Sequence, residues 1–134
     1  PALTNRFHAL NRVLHLISPS TIDQISVTPS LLTEDRLKVL QAADKKAMDW
    51  LIEIGASRKV WQMPTVLVPL SVNGVGKESI VLRPIESEEA MTAHFSELPM
   101  DQIKVLAAQM LESSALSALF YDLTNKPPGT IEWE

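Results

Sequence analysis

The sequence contains no cysteine. That removes a thiolate nucleophile, a redox pair and a sulfur-ligated metal from consideration, and it fits a cytoplasmic protein. Glycine is scarce. Gly55, Gly74, Gly76 and Gly129 are the only four, and none builds a glycine-rich phosphate cradle at the start of a helix. Basic charge is also lacking: 12 Lys and Arg stand against 16 Asp and Glu, a net charge of -4. A nucleic-acid module would carry a clustered basic face, so nucleic acid is not an expected partner. No apolar run approaches the roughly 18 residues of a membrane span, and no basic-then-apolar leader opens the chain. His8, His15 and His94 show no metal-ligand spacing, and the five methionines are scattered as core fillers.

What remains is a chain of 134 residues, 46% apolar, which suits one domain with a real core. At this size roughly two-thirds of the unfolded surface is buried on folding, so no disulfide or metal staple is needed. The chain opens at Pro1 with no initiator methionine, which is read as a cut from a larger protein.

The pattern predicts a helix over 2–9 and a strand over 11–17, followed by a Ser-, Thr- and Pro-rich connector to residue 32. Ile22, Ile25, Val27, Leu31 and Leu32 imply that this connector packs on something. Thr33 is a natural helix cap, and Glu34 and Asp35 suit the positive end of the helix dipole. Leu37, Leu40, Ala43, Ala47, Leu51 and Ile54 recur at three- and four-residue steps, and Gly55 is the expected stop. Strands are predicted over 65–72 and 78–85, joined by Asn73-Gly74-Val75-Gly76 as a hairpin turn. Pro69 predicts an edge position or a bulge, since it cannot donate to a ladder. Ile103, Leu106, Ala107, Met110 and Leu111 mark a second helix over 99–113, with Pro99 at its start, and a last strand covers 117–123. This order predicts an α+β class: a two-layer sandwich in which a small antiparallel sheet with a β-β-α-β core has its helices packed on one face. The opening segment faintly repeats the closing one, so residues 1–32 are read as the end of a preceding, duplicated unit plus connector, and 33–134 as the main domain.

The chain ends Tyr121-Asp122-Leu123-Thr124-Asn125-Lys126-Pro127-Pro128-Gly129-Thr130-Ile131-Glu132-Trp133-Glu134. A diproline restricts the backbone and lowers the entropy cost of holding a ligand. Lys126 supplies an ammonium suited to phosphate, and Glu132 a carboxylate suited to sugar hydroxyls or base amides. A tail held only by packing of Trp133, with Lys126 solvated, accounts for the same residues.

This ending resembles the C-terminus of GMP synthases. Further matches follow in order: Trp61-Gln62-Met63-Pro64, Val81-Leu82-Arg83, Glu89-Ala90-Met91-Thr92-Ala93 and Leu98-Pro99. The resemblance is good over 58–134 and weaker over 11–57, where Asn11-Arg12-Val13 resembles the enlarged two-copy form of the domain. It implies a C-terminal dimerisation domain that pairs two subunits and helps hold xanthosine monophosphate (XMP). Within that family, glutaminase and ATP pyrophosphatase domains carry the chemistry, using ATP and magnesium. This segment would hold no cofactor, no metal and no catalytic residue of its own. The positions matching the family's XMP contacts are Gln62, Lys126, Ile131 and Glu132. Arg83 keeps two readings, a phosphate or interface contact or an ion pair with Glu86 or Asp122. One departure stands out: Ser117 and Ala118 occupy the place of an arginine-bearing pair that contacts the XMP phosphate. A module that only dimerises is therefore the alternative reading.

Overall fold

The computed structural model describes residues 6, 7, 9–89, 92–125, 129 and 133. Among the described residues eight strands and two helices follow one another: β1 (Leu14–Ser18), β2 (Ile25–Val27), α1 (Glu34–Glu53), β3 (Thr65–Val68), β4 (Leu70–Val72), β5 (Glu78–Leu82), β6 (Ile85–Glu89), β7 (Thr92–Phe95), α2 (Met100–Met110) and β8 (Leu116–Asp122). The central sheet has the order β1-β8-β5-β3. β2 with β4, and β6 with β7, form two smaller ladders.

The α+β class agrees with the sequence reading, and one strand pair corrects it. β1 with β8 and β3 with β5 are antiparallel, but β5 and β8 run parallel. The sheet is mixed because α2 lies between β5 and β8 in the chain, and parallel neighbours require a crossover of that kind.

Helix α1 forms where its signals lie. The Thr33 hydroxyl accepts the Arg36 amide at 3.2 Å, satisfying one free donor of the first turn. At the other end Gly55 takes a φ of 74°. The Gly55 amide then bonds Ile52 O and the Ala56 amide bonds Leu51 O, the paired bonds of a left-handed glycine stop. Pro99 caps α2, and its carbonyl receives the Ile103 amide at 3.0 Å. The buried face of α1 (Ala43, Ala47, Trp50, Leu51) and that of α2 (Ile103, Leu106, Ala107, Met110) cover Ile80, Leu82 and Leu119 on one side of the sheet. Val68, Val81, Ala118 and Phe120 point to the other side, where Trp133 packs.

Pro69 ends β3 and begins a change of partner. β3 pairs with β5, whereas β4, just beyond the proline, pairs with β2. A residue without an N–H interrupts the ladder at that point. The connector is thus partly a strand, and Asn73 fixes it. Its side-chain oxygen accepts the amides of Asp23 and Gln24, and its amide nitrogen donates to Thr21 O. The predicted helix over 2–9 falls mostly outside the described residues.

Glu78 ties the connector and α1 to the sheet. Arg36 donates to it through Nε at 3.0 Å and Nη2 at 2.8 Å, and Ser30 Oγ approaches it at 3.3 Å. Both charged side chains are only partly exposed. Glu78→Gln should lower stability by about 1–2 kcal/mol, the range for a charge-assisted bond with some solvent screening. Urea unfolding measures it, and a midpoint unchanged from the parent protein would show that water replaces the pair without cost.

Candidate functional site

Register brings four chain segments to one end of the sheet. Leu82 pairs with Thr65 on one side and Tyr121 on the other, and Asp122 pairs with Leu14. The approach to β3, the ends of β5 and β8, and the approach to β1 therefore meet along one edge. Gln62, Arg83, Asp122 and Arg12 all lie there. The carboxyl ends of parallel strands are common places for ligand sites in α/β sheets.

Asp122 is the hub. It is fully buried, and its Oδ2 accepts Arg12 Nη1 at 3.2 Å, Arg83 Nη1 at 3.2 Å and Trp133 Nε1 at 2.9 Å. Its Oδ1 accepts the Thr124 amide at 2.8 Å. Arg83, also fully buried, donates to Thr124 O at 2.7 Å, and its own amide bonds Pro64 O. Desolvation pushes the Arg83 guanidinium below its usual range, Asp122 pulls it back up, and Arg12 opposes that recovery. Arg12 also lies over the Trp133 ring, 5.5 Å from its centroid.

Arg83 is thus in the Asp122 ion pair, one of the partners named from sequence, and its side chain is sealed from solvent. Gln62 is held by its backbone: Ile85 N donates to Gln62 O at 2.9 Å, and the Gln62 side chain is exposed. Lys126, Ile131 and Glu132 lie outside the described residues. Asn125, Gly129 and Trp133 near them are described. Asn125 O accepts the Gly129 amide at 3.0 Å, and Asn125 Oδ1 accepts the Phe95 amide at 3.1 Å. Gly129 is buried in close quarters, where a side chain would require its neighbours to shift. A Cβ there would sit 3.0 Å from Thr124 Cγ2, 3.1 Å from Arg12 Nη1 and 3.3 Å from Arg83 Nη2.

The β6–β7 ladder closes over this root. Ser96 Oγ donates to Glu86 at 2.6 Å, and Lys59 pairs with Glu86 at 3.3 Å. The Ser96 bond, followed by Lys59, holds the Glu86 carboxyl below its ordinary range. The buried Tyr121 hydroxyl donates to Ser96 O, and burial raises that phenol, keeping it a donor.

Ser117 and Ala118 take no part at this end. Ser117 Oγ accepts the Val72 amide at 3.0 Å and donates to Glu78 O at 3.1 Å. Ala118 is wholly buried beside Val81 and Phe120. The convergence of Arg12 on Asp122, 110 residues away in sequence, carried no local signal beyond the Asn11-Arg12 pair.

The described residues define a small two-layer α+β domain that buries an arginine–aspartate–tryptophan cluster at one sheet end and roots its terminal segment there. The family pattern described as "GMP synthase C terminal domain" matches residues 49–133, and the chain belongs to that family. It is 40% identical over 134 residues to the probable glutamine-hydrolyzing GMP synthase of Leptospira interrogans, covering 98% of this chain and 22% of that protein. Two further relatives are the glutamine-hydrolyzing GMP synthases of Streptomyces avermitilis, 40% identical, and Corynebacterium diphtheriae, 41% identical. Each alignment covers 77% of this chain and 21% of the relative. The chain therefore spans about a fifth of the length of these relatives.

Proposed function

We propose that this chain is the part of a glutamine-hydrolysing GMP synthase that pairs two subunits and holds XMP against the ATP-using domain. The observation that carries the reading is the rooting of the terminal segment. Trp133 bonds Asp122 at the buried end of the sheet, Asn125 accepts the Phe95 amide and in turn receives the Gly129 amide, and Lys126, Ile131 and Glu132 lie between or beside these residues in sequence. Binding energy is most effective when the groups that supply it are already in place. Lys126 would meet the phosphate as a point charge, Glu132 the sugar or base, and Gln62, exposed at the same sheet end, the nucleotide as well. ATP, magnesium and glutamine belong in this reading to domains outside the chain. The fragment orients one reactant and performs no bond-making step.

Lys126→Ala in the full-length enzyme should raise the XMP KM about tenfold or more, from loss of one charge-assisted bond of roughly 1.5–3 kcal/mol. Glutamine hydrolysis should be retained. Steady-state kinetics against XMP checks this, and an unchanged KM would leave a module that only pairs subunits.

A further inference from the structure

We propose that Arg12 is a positioning residue for the nucleotide-holding tail, which makes a segment upstream of the family-matched residues part of the site; the inference rests on the XMP reading above. The family pattern begins at residue 49, yet Arg12 reaches the centre of the cluster. Its backbone leaves it little freedom. The Val13 amide donates to Thr124 Oγ1 at 2.9 Å, and the Leu123 amide donates to Val13 O at 2.9 Å. Arg12 is thereby tied to the root of the tail from which Asn125 and Lys126 follow.

The guanidinium then makes two contacts at once and lies near a third residue. One edge donates to Asp122, the plane lies over Trp133, and Nη1 stands where a Cβ on Gly129 would be only 3.1 Å away. Trp133 and Gly129 flank Thr130, Ile131 and Glu132 in sequence. The side chain is only 9% exposed, so it acts on the tail and not as a surface charge awaiting ligand. A planar fork can donate at its edge and stack on its face together, whereas an ammonium cannot. Arg12 thus holds Trp133, which follows Glu132 in sequence, and lies beside the buried Gly129, which follows Lys126-Pro127-Pro128.

The test uses Arg12→Lys and Arg12→Gln. The three tryptophans give separate reporters when the chain is labelled with 5-fluorotryptophan and read by fluorine NMR. Both variants should move the Trp133 resonance, assigned with Trp133→Phe, and leave those of Trp50 and Trp61 in place. Trp50 is in the helix layer and certifies the fold. In the full-length enzyme Arg12→Gln should raise the XMP KM about tenfold with kcat and glutamine hydrolysis unchanged, and Arg12→Lys should raise it less. An unmoved Trp133 resonance overturns the proposal. So does a moved resonance with unchanged KM in an enzyme whose KM responds to Lys126→Ala. If Lys126→Ala has no effect either, the XMP reading itself fails and the role of Arg12 falls with it. Should Arg12→Gln disturb Trp50 as well, Arg12→Lys, which keeps the charge, decides by the same two readouts.

Discussion

Asp122→Ala should lower the unfolding free energy by about 3–5 kcal/mol, the cost of removing one partner from a buried ion cluster. The magnitude follows from what stays behind. Arg83 is wholly buried, and its desolvated charge is supported by Coulomb attraction to this carboxylate. Arg12 and the Trp133 indole lose the same acceptor, and the Thr124 amide loses Oδ1. Water entering at the sheet end can replace some of these bonds, which keeps the expected loss well below the sum of its parts. Asp122→Asn retains the shape but replaces one acceptor with a donor facing guanidinium groups, so it should recover little. Combining Asp122→Asn with Arg83→Met should recover part of the loss, because an apolar side chain of similar length needs no counter-charge. Urea unfolding of the single and double variants measures the coupling. A loss below about 1 kcal/mol for Asp122→Ala would mean that the cluster is hydrated and does not root the tail.

How much of this could be read from sequence depends on the range of the interaction. Thr33, Gly55, Pro99 and the three- and four-residue apolar steps are local, and both helices formed where those signals lie. The antiparallel pairing of β3 with β5 was also legible, but the Asn73–Gly76 turn follows β4, which leaves that ladder after Val68 to pair with β2. Ile25–Val27 was legible only as an apolar connector, because a three-residue strand has no periodicity and needs β4 as its partner. β6 carries Glu86, Glu88 and Glu89, residues of low strand propensity, and the run over 78–85 breaks at Arg83-Pro84 before it. The parallel β5–β8 pair, too, is a property of the whole chain path. At the site, the ion pair of Arg83 with Asp122 was one of two partners open in the sequence, and burial selected it. Arg12 needed the register of β1 on β8 to be seen at all.

Trp50→Ala should be the other large loss, about 3–5 kcal/mol, and it should separate stability from substrate holding. Trp50 is 3% exposed on the buried face of α1, between Ala47 and Leu51. Its indole nitrogen donates to Gln102 O of α2 at 3.1 Å, so one side chain both fills the interhelical space and joins the two helices. The small neighbours Ala43, Ala47 and Ala107 cannot spread into the volume an indole leaves, and the cavity cost adds to the lost burial. Trp50→Phe keeps most of the ring and gives up the hydrogen bond, so about 1–2 kcal/mol is expected for it. Trp50 belongs to the core on the helix side of the sheet, whereas Trp133 packs with the opposite cluster and bonds Asp122. Below its lowered melting temperature Trp50→Ala should therefore leave the Trp133 fluorine resonance where it was, while Asp122→Ala should move it. A Trp133 signal that shifts equally in both variants would show that the two faces of the sheet respond as one unit, and the tail would then be held by the fold at large instead of by its cluster.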